Sequence, residues 1–127
     1  MHEQDLAIIK ALIPMAWADG VYAEKEKETV EALLDAFDAD AAEKERIHQY
    51  ANEKRTLDDI DLQELSAPDR RLVIQHSVLM SFVDGSQGPE EIALLANLVT
   101  KLKVPAEEAT TIIEAATARA KKSLNLL

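Results

Sequence analysis

Ala18-Asp19-Gly20, with Glu26 seven positions after the aspartate, recurs later in the chain as Val83-Asp84-Gly85 with Glu91. The two aspartates and the two glutamates are each 65 positions apart. In each copy an apolar segment runs into the Asp-Gly pair, and an amphipathic segment follows it. Glycine at such a junction ends a helix at little cost, because it enters the left-handed region freely. Each copy therefore reads as helix, tight turn, helix.

Registering the two pairs aligns residues 15–47 with 80–112. Met15 matches Met80, Leu33 matches Leu98, Ala41 matches Ala106, Glu43 matches Glu108 and Ile47 matches Ile112. Trp17 with Phe82, Val30 with Leu95 and Phe37 with Leu102 agree in apolar character. Isolated matches of Ala, Leu and Glu arise easily in helical chains. A shared Asp, Gly and Glu at one spacing does not, so the alignment predicts two similar helical units with approximate two-fold symmetry.

Helical spacing extends outward from the turns. Leu6, Ile9, Ile13 and Trp17 define a first helix over 4–18, with a kink expected at Pro14. Val30, Leu33, Leu34 and Phe37 define a second over 24–37. Asp40 and Glu43 form a capping box that opens a third, running to about Arg55. Thr56-Leu57-Asp58-Asp59 opens a short fourth helix through Leu65. Ser66 and Pro68 start a fifth that runs to Val83, with Leu72, His76, Leu79, Met80 and Val83 inward. Gly88-Pro89 starts the sixth and Val104-Pro105 the last. No segment alternates with period two. The expected fold class is all-α: one domain over residues 1–127, a compact bundle of about seven helices built from two pseudo-symmetric halves.

The chain carries 24 acidic and 14 Lys or Arg residues, a formal net charge of −10. Such a surface repels phosphate, so nucleic acid is not an expected partner. The basic concentrations are Arg70-Arg71 and Arg119 to Lys122, the second placed to complement a helix C-terminus. With no cysteine, disulfides, thiolate chemistry and Cys-type zinc sites are excluded. No apolar run approaches the ~18 residues that a membrane span needs. No basic region precedes an apolar core at the N-terminus, so the cytoplasm is the expected compartment.

Glu26 and Glu91 fall on the apolar stripes of their helices. An inward carboxylate must be hydrogen-bonded, paired or metal-bound, because desolvating it alone costs several kcal/mol. Two readings follow. In one, each glutamate, at the third position of its helix, accepts backbone N–H groups from its own Asp-Gly turn. In the other, Asp19, Glu26, Asp84 and Glu91 gather as an acidic site for a divalent cation. The turns are not EF-hand loops, since Val21 or Ser86, Ala23 or Gly88, and Val30 or Leu95 stand where that loop needs oxygen ligands. His76 lies on an apolar stripe without a second ligand at metal spacing, which fits a core histidine. Trp17 reads as core, and Tyr22 as a loop residue able to edge a groove. No glycine-rich phosphate loop and no serine beside a base is present. Paired carboxylates alone leave a hydrolase as a remote reading and a non-enzymatic role as the main one.

Met15-Ala16-Trp17-Ala18-Asp19-Gly20 followed by Glu26, echoed by Asp84-Gly85 and Glu91, resembles the TerB-like tellurite-resistance family over about Leu6 to Ala120. The resemblance implies an all-helical bundle of about seven helices in two related halves. It implies a part in tellurite resistance and wider stress responses. It also implies cytoplasmic assemblies near the membrane, with metal-binding and membrane-embedded partner proteins. The same module stands beside J-domains in co-chaperones, where it acts in protein interaction. The family's acidic positions map to Asp19, Glu26, Asp84 and Glu91. The chain departs from the pattern at Pro14, and at Ala23, where a capping Ser or Asp is commoner. The resemblance implies no enzymatic activity.

Overall fold

The computed structural model describes residues 3–18, 20–82 and 87–123. Six α-helices follow in order: α1 Glu3–Ala16, α2 Glu24–Ala36, α3 Ala41–Ala51, α4 Ala67–Ser81, α5 Pro89–Leu102 and α6 Ala106–Ser123. Among the described residues there is no strand. The fold is an all-α bundle, with one α-helix fewer than the seven expected.

The missing helix is the segment between α3 and α4, which forms two single 3₁₀ turns, Leu57–Asp59 and Leu62–Glu64. Each has its own local cap: Asp59 accepts the Thr56 N–H (2.8 Å), and Asp61 accepts the Gln63 N–H (3.0 Å). Ile60 and Leu65 follow in extended conformation and are buried. Two separate apolar anchors hold the connector flat on the bundle, where a continuous helix would turn one of them away. Helix α3 also ends earlier than expected, at Ala51 instead of about Arg55. Near its end the Trp17 indole Nε1 donates to the Ala51 carbonyl (2.9 Å) and the Arg55 Nε to the Tyr50 carbonyl (2.9 Å). These donors take up carbonyls that a terminating helix leaves open.

Helix α1 is the centre of the core. Ala7, Ile8, Ile9 and every residue from Ala11 to Ala16 are buried, as the broad apolar stripe predicts. It packs on α4, α3, α2 and α5. It continues through Pro14 and closes at Ala16, ahead of Gly20 with φ +86°. Truncating a fully buried Ile9 or Leu12 to alanine costs about 2–5 kcal/mol.

Helix α4 lies against α1, α6 and α5. Its buried face is Val73, Ile74, Ser77, Val78, Met80 and Ser81. Leu72, expected inward, is exposed, and His76 and Leu79 are half-buried. The face is turned because α4 is covered from several sides and buries two serines, which disguise the apolar period. Ser81 Oγ donates to the Val78 carbonyl (2.6 Å) and accepts from Gln87 Nε2 (2.8 Å). The fully buried Ser77 hydroxyl has no hydrogen-bond partner among the described residues.

The two halves share one spacing. Helices α2 and α5 start at Glu24 and Pro89, and α3 and α6 at Ala41 and Ala106, each pair 65 positions apart. Helices α1 and α4 end at Ala16 and Ser81, again 65 apart. Each half packs its first helix on its second and third, and α1 and α4 pack on each other. The closure of the second helix also repeats. The Ala39 N–H donates to the Leu34 carbonyl (2.9 Å) and the Val104 N–H to the Val99 carbonyl (3.4 Å), a bond from five residues on in both halves.

Arg70 and Arg71, the first basic concentration, are engaged. Arg70 donates to the Leu65, Leu102 and Leu62 carbonyls at 3.2, 3.3 and 2.9 Å, joining the connector to the end of α5. Arg71 pairs with Glu108 and donates to the Ala67 carbonyl (2.8 Å). Neither is free to meet a phosphate.

Candidate functional site

Two of the four acidic candidates are described. Asp19 and Asp84 lie outside the described residues, as does Gly85. Glu26 and Glu91 are both half-buried in the first turns of α2 and α5. Glu91 folds back over its own helix start: its Oε2 accepts the Gly88 N–H. A Cβ placed on Gly88 would stand 3.0 Å from that oxygen and 3.3 Å from an oxygen of Glu90. The glycine thus leaves room for two carboxylates to close over the helix N-terminus, where negative charge is stabilised. At the matching position of α2 stands Ala23, which provides no side-chain cap. Among the described residues no three His, Asp or Glu side chains gather at metal distance. His76 is half-buried, and burial pushes its imidazole below the ordinary value of 6.5.

The described site with most chemistry lies just after the first Asp-Gly turn. Tyr22, just before α2, and Glu24, Lys27, Glu28 and Glu31 of α2 face His48 of α3 and Asn52 at its C-terminal cap across a groove of about 330 Å³. Glu24, Glu28 and Glu31 recur at helical spacing, so their carboxylates line one wall. On the other, His48 Nε2 stands 2.6 Å from Glu31 Oε2, and Lys44 Nζ lies 3.4 Å from Glu31 Oε1. These pairs fasten α2 to α3.

Tyr22 is the aromatic element of the groove. Its ring centroid is 5.5 Å from that of Trp17, tilted by 30°, and the Lys27 ammonium stands 5.6 Å from it. Burial first, then the charges of Glu26 and Glu31, push the Tyr22 hydroxyl up to about 12. Trp17, expected in the core, is half-buried, with its indole tied to α3 and its face on Tyr22. The groove joins an aromatic ring to three carboxylates, a combination that favours cations.

A wider, open cleft of about 560 Å³ lies between α1, α3 and the connector. Lys10 and Arg46 face Glu3 and Glu64 across it, so its walls select neither sign of charge.

No protein-family model matches the chain, and no curated protein or solved structure matches it.

Proposed function

We propose that this protein is a non-enzymatic, TerB-like interaction module whose Tyr22 groove receives a basic segment of a partner protein. The observation that carries the reading is the groove itself. Tyr22, its ring already approached by the Lys27 ammonium at 5.6 Å, stands beside Glu24 and Glu28, on a molecule of net charge −10. A lysine or arginine side chain entering it meets the Glu24 and Glu28 carboxylates and takes the place at the ring that Lys27 holds. Each such contact is modest at an exposed site, so the partner affinity is built from several of them. The resemblance adds the setting: partner assemblies of the bacterial stress response, with tellurite resistance among them.

Titration with an arginine- and lysine-rich peptide tests this, followed by the fluorescence of Trp17 beside Tyr22. Binding should weaken roughly tenfold, about 1.4 kcal/mol, in Tyr22→Ala or Glu28→Gln. The same charge change at Glu45 or Glu114, away from the groove, should leave it unaltered. Equal losses at Glu28, Glu45 and Glu114, with Tyr22→Ala binding as the wild type does, would mean that only net charge is sensed, and would sink the proposal.

The second reading keeps a divalent cation at Asp19, Glu26, Asp84 and Glu91. The Gly88 bond of Glu91 favours the cap instead. Thermal stabilisation by calcium, magnesium or zinc, lost in Glu26→Gln and Glu91→Gln, would restore the cation.

A further inference from the structure

The duplication provides an internal control on surface chemistry. At the 65-residue offset, the groove-lining Glu24, Lys27, Glu28 and Glu31 of α2 correspond to Pro89, Ile92, Ala93 and Ala96 of α5. His48 and Asn52 of α3 correspond to Ile113 and Thr117 of α6. Every position that is ionised or polar on the first wall has become apolar or uncharged on the second. The scaffold does not require this, because the same helix position in the first half carries charge. Nor is the face buried. Ile92 is 54% exposed, and Ala93, Ala96, Asn97 and Thr100 are exposed, while Leu95, Leu98 and Leu102 cover the inner side. From Ile92 to Thr100 there is no charged residue, in a chain with 30% charged residues.

Charge also selects the occupant. Two molecules of net charge −10 repel wherever their carboxylates meet. The outward faces of the equivalent α2 and of α3 carry Glu28 and Asp35, and Glu45. An antiparallel pair of α5 helices would meet over this uncharged stretch and set Glu90 of each copy toward the Lys101 end of the other. A basic partner has no charge to seek there. An anionic membrane surface is repelled by the net charge of −10. The small side chains of Ala93 and Ala96 let a second helix approach closely, and an isologous pair sets the same residues on both sides. Antiparallel α5 helices would also oppose their dipoles favourably.

We propose that the uncharged face of α5, centred on Ile92, Ala93 and Ala96, is the contact through which two copies of this chain form a symmetric dimer. Sedimentation equilibrium over a concentration series tests it. The wild type should show twice the 14.1 kDa chain mass at high concentration, falling toward the single-chain mass on dilution. Added salt should strengthen the association by screening the net charge. Ala96→Glu should lower the association constant about 100-fold by burying an unpaired charge, with an unchanged far-ultraviolet circular dichroism spectrum. Ile92→Glu, at a more exposed position, should do the same and guards against a folding defect in the first variant. A wild type that stays at 14.1 kDa throughout overturns the proposal, whether or not it sediments with phosphatidylcholine vesicles. So does a dimer that survives both substitutions.

Discussion

Asp38 and Lys103 occupy the same place in two copies of one helix ending: they are 65 positions apart, and both hold a left-handed backbone, with φ of 61° and 57°. Neither is glycine, the residue that adopts this conformation without steric cost. Aspartate tolerates it better than lysine, because its short side chain can bond locally. Lys103→Gly should therefore stabilise the fold by about 0.5–1 kcal/mol, and Asp38→Gly by less. Urea denaturation midpoints at constant slope check the order. A destabilised Lys103→Gly would show that its stem packs usefully against the bundle.

The carboxylate of Glu91 closes on the Gly88 N–H, and Glu90 stands beside it. Glu91→Ala should lower stability by about 1 kcal/mol, as for the loss of a helix cap. Gly88→Ala should cost a similar amount, because the added methyl presses on both carboxylates. Thermal melts of the two single variants and the double variant would reveal the coupling. If they act on one contact, the double variant loses less than the singles together.

Tyr22 keeps its proton to about pH 12, whereas an unfolded tyrosine loses it near 10.0. A group with a raised folded value contributes its stability in full below pH 10.0. That contribution declines as pH rises through the window to 12. Tyrosinate absorbance should show Tyr22 ionising near the top of this range. Stability should decline across 10–12 in the wild type more steeply than in Tyr22→Phe. Tyr50, raised chiefly by burial, contributes a slope of the same sign, which Tyr22→Phe retains.

Arg70 is the hinge pin between connector and second half, with three carbonyl acceptors on one guanidinium. Arg70→Ala should cost about 3 kcal/mol, since several charge-assisted bonds are lost around a partly buried group. Lysine cannot fork toward three acceptors, so Arg70→Lys should recover less than half of the loss. Chemical denaturation of both variants measures the ratio.

Much of the fold was legible because it rests on local chemistry. The Asp40–Glu43 box, the Ser66 cap and the Gly20 stop each act within a few residues of sequence, and all three are present. The 57–65 connector departs from the helix that its capping signal predicts because Ile60 and Leu65 answer to the bundle surface and not to each other. Helix α4 buries a different face from the one its apolar spacing predicts, because Ser77 and Ser81 are buried where periodicity expects apolar side chains. Tyr22 reads from the sequence as a groove edge, but the groove needs α3 beside α2, a pairing no local signal reports. One trace of it was available: Glu24, Glu28 and Glu31 on one helix and Lys44, His48 and Asn52 on the next share helical spacing. The alignment of Glu28 with Ala93 and Glu31 with Ala96 also held the contrast between the two halves.

Helix α1 is made well before α4, the element that packs most extensively on it. During synthesis its buried side chains emerge from the ribosome with only α2 and α3 at hand. The nascent first half thus shows an oily helix to the cell until the chain has extended past Ser81. Holding factors that shield greasy segments have their opportunity in that interval, and a pause placed before α4 would prolong it.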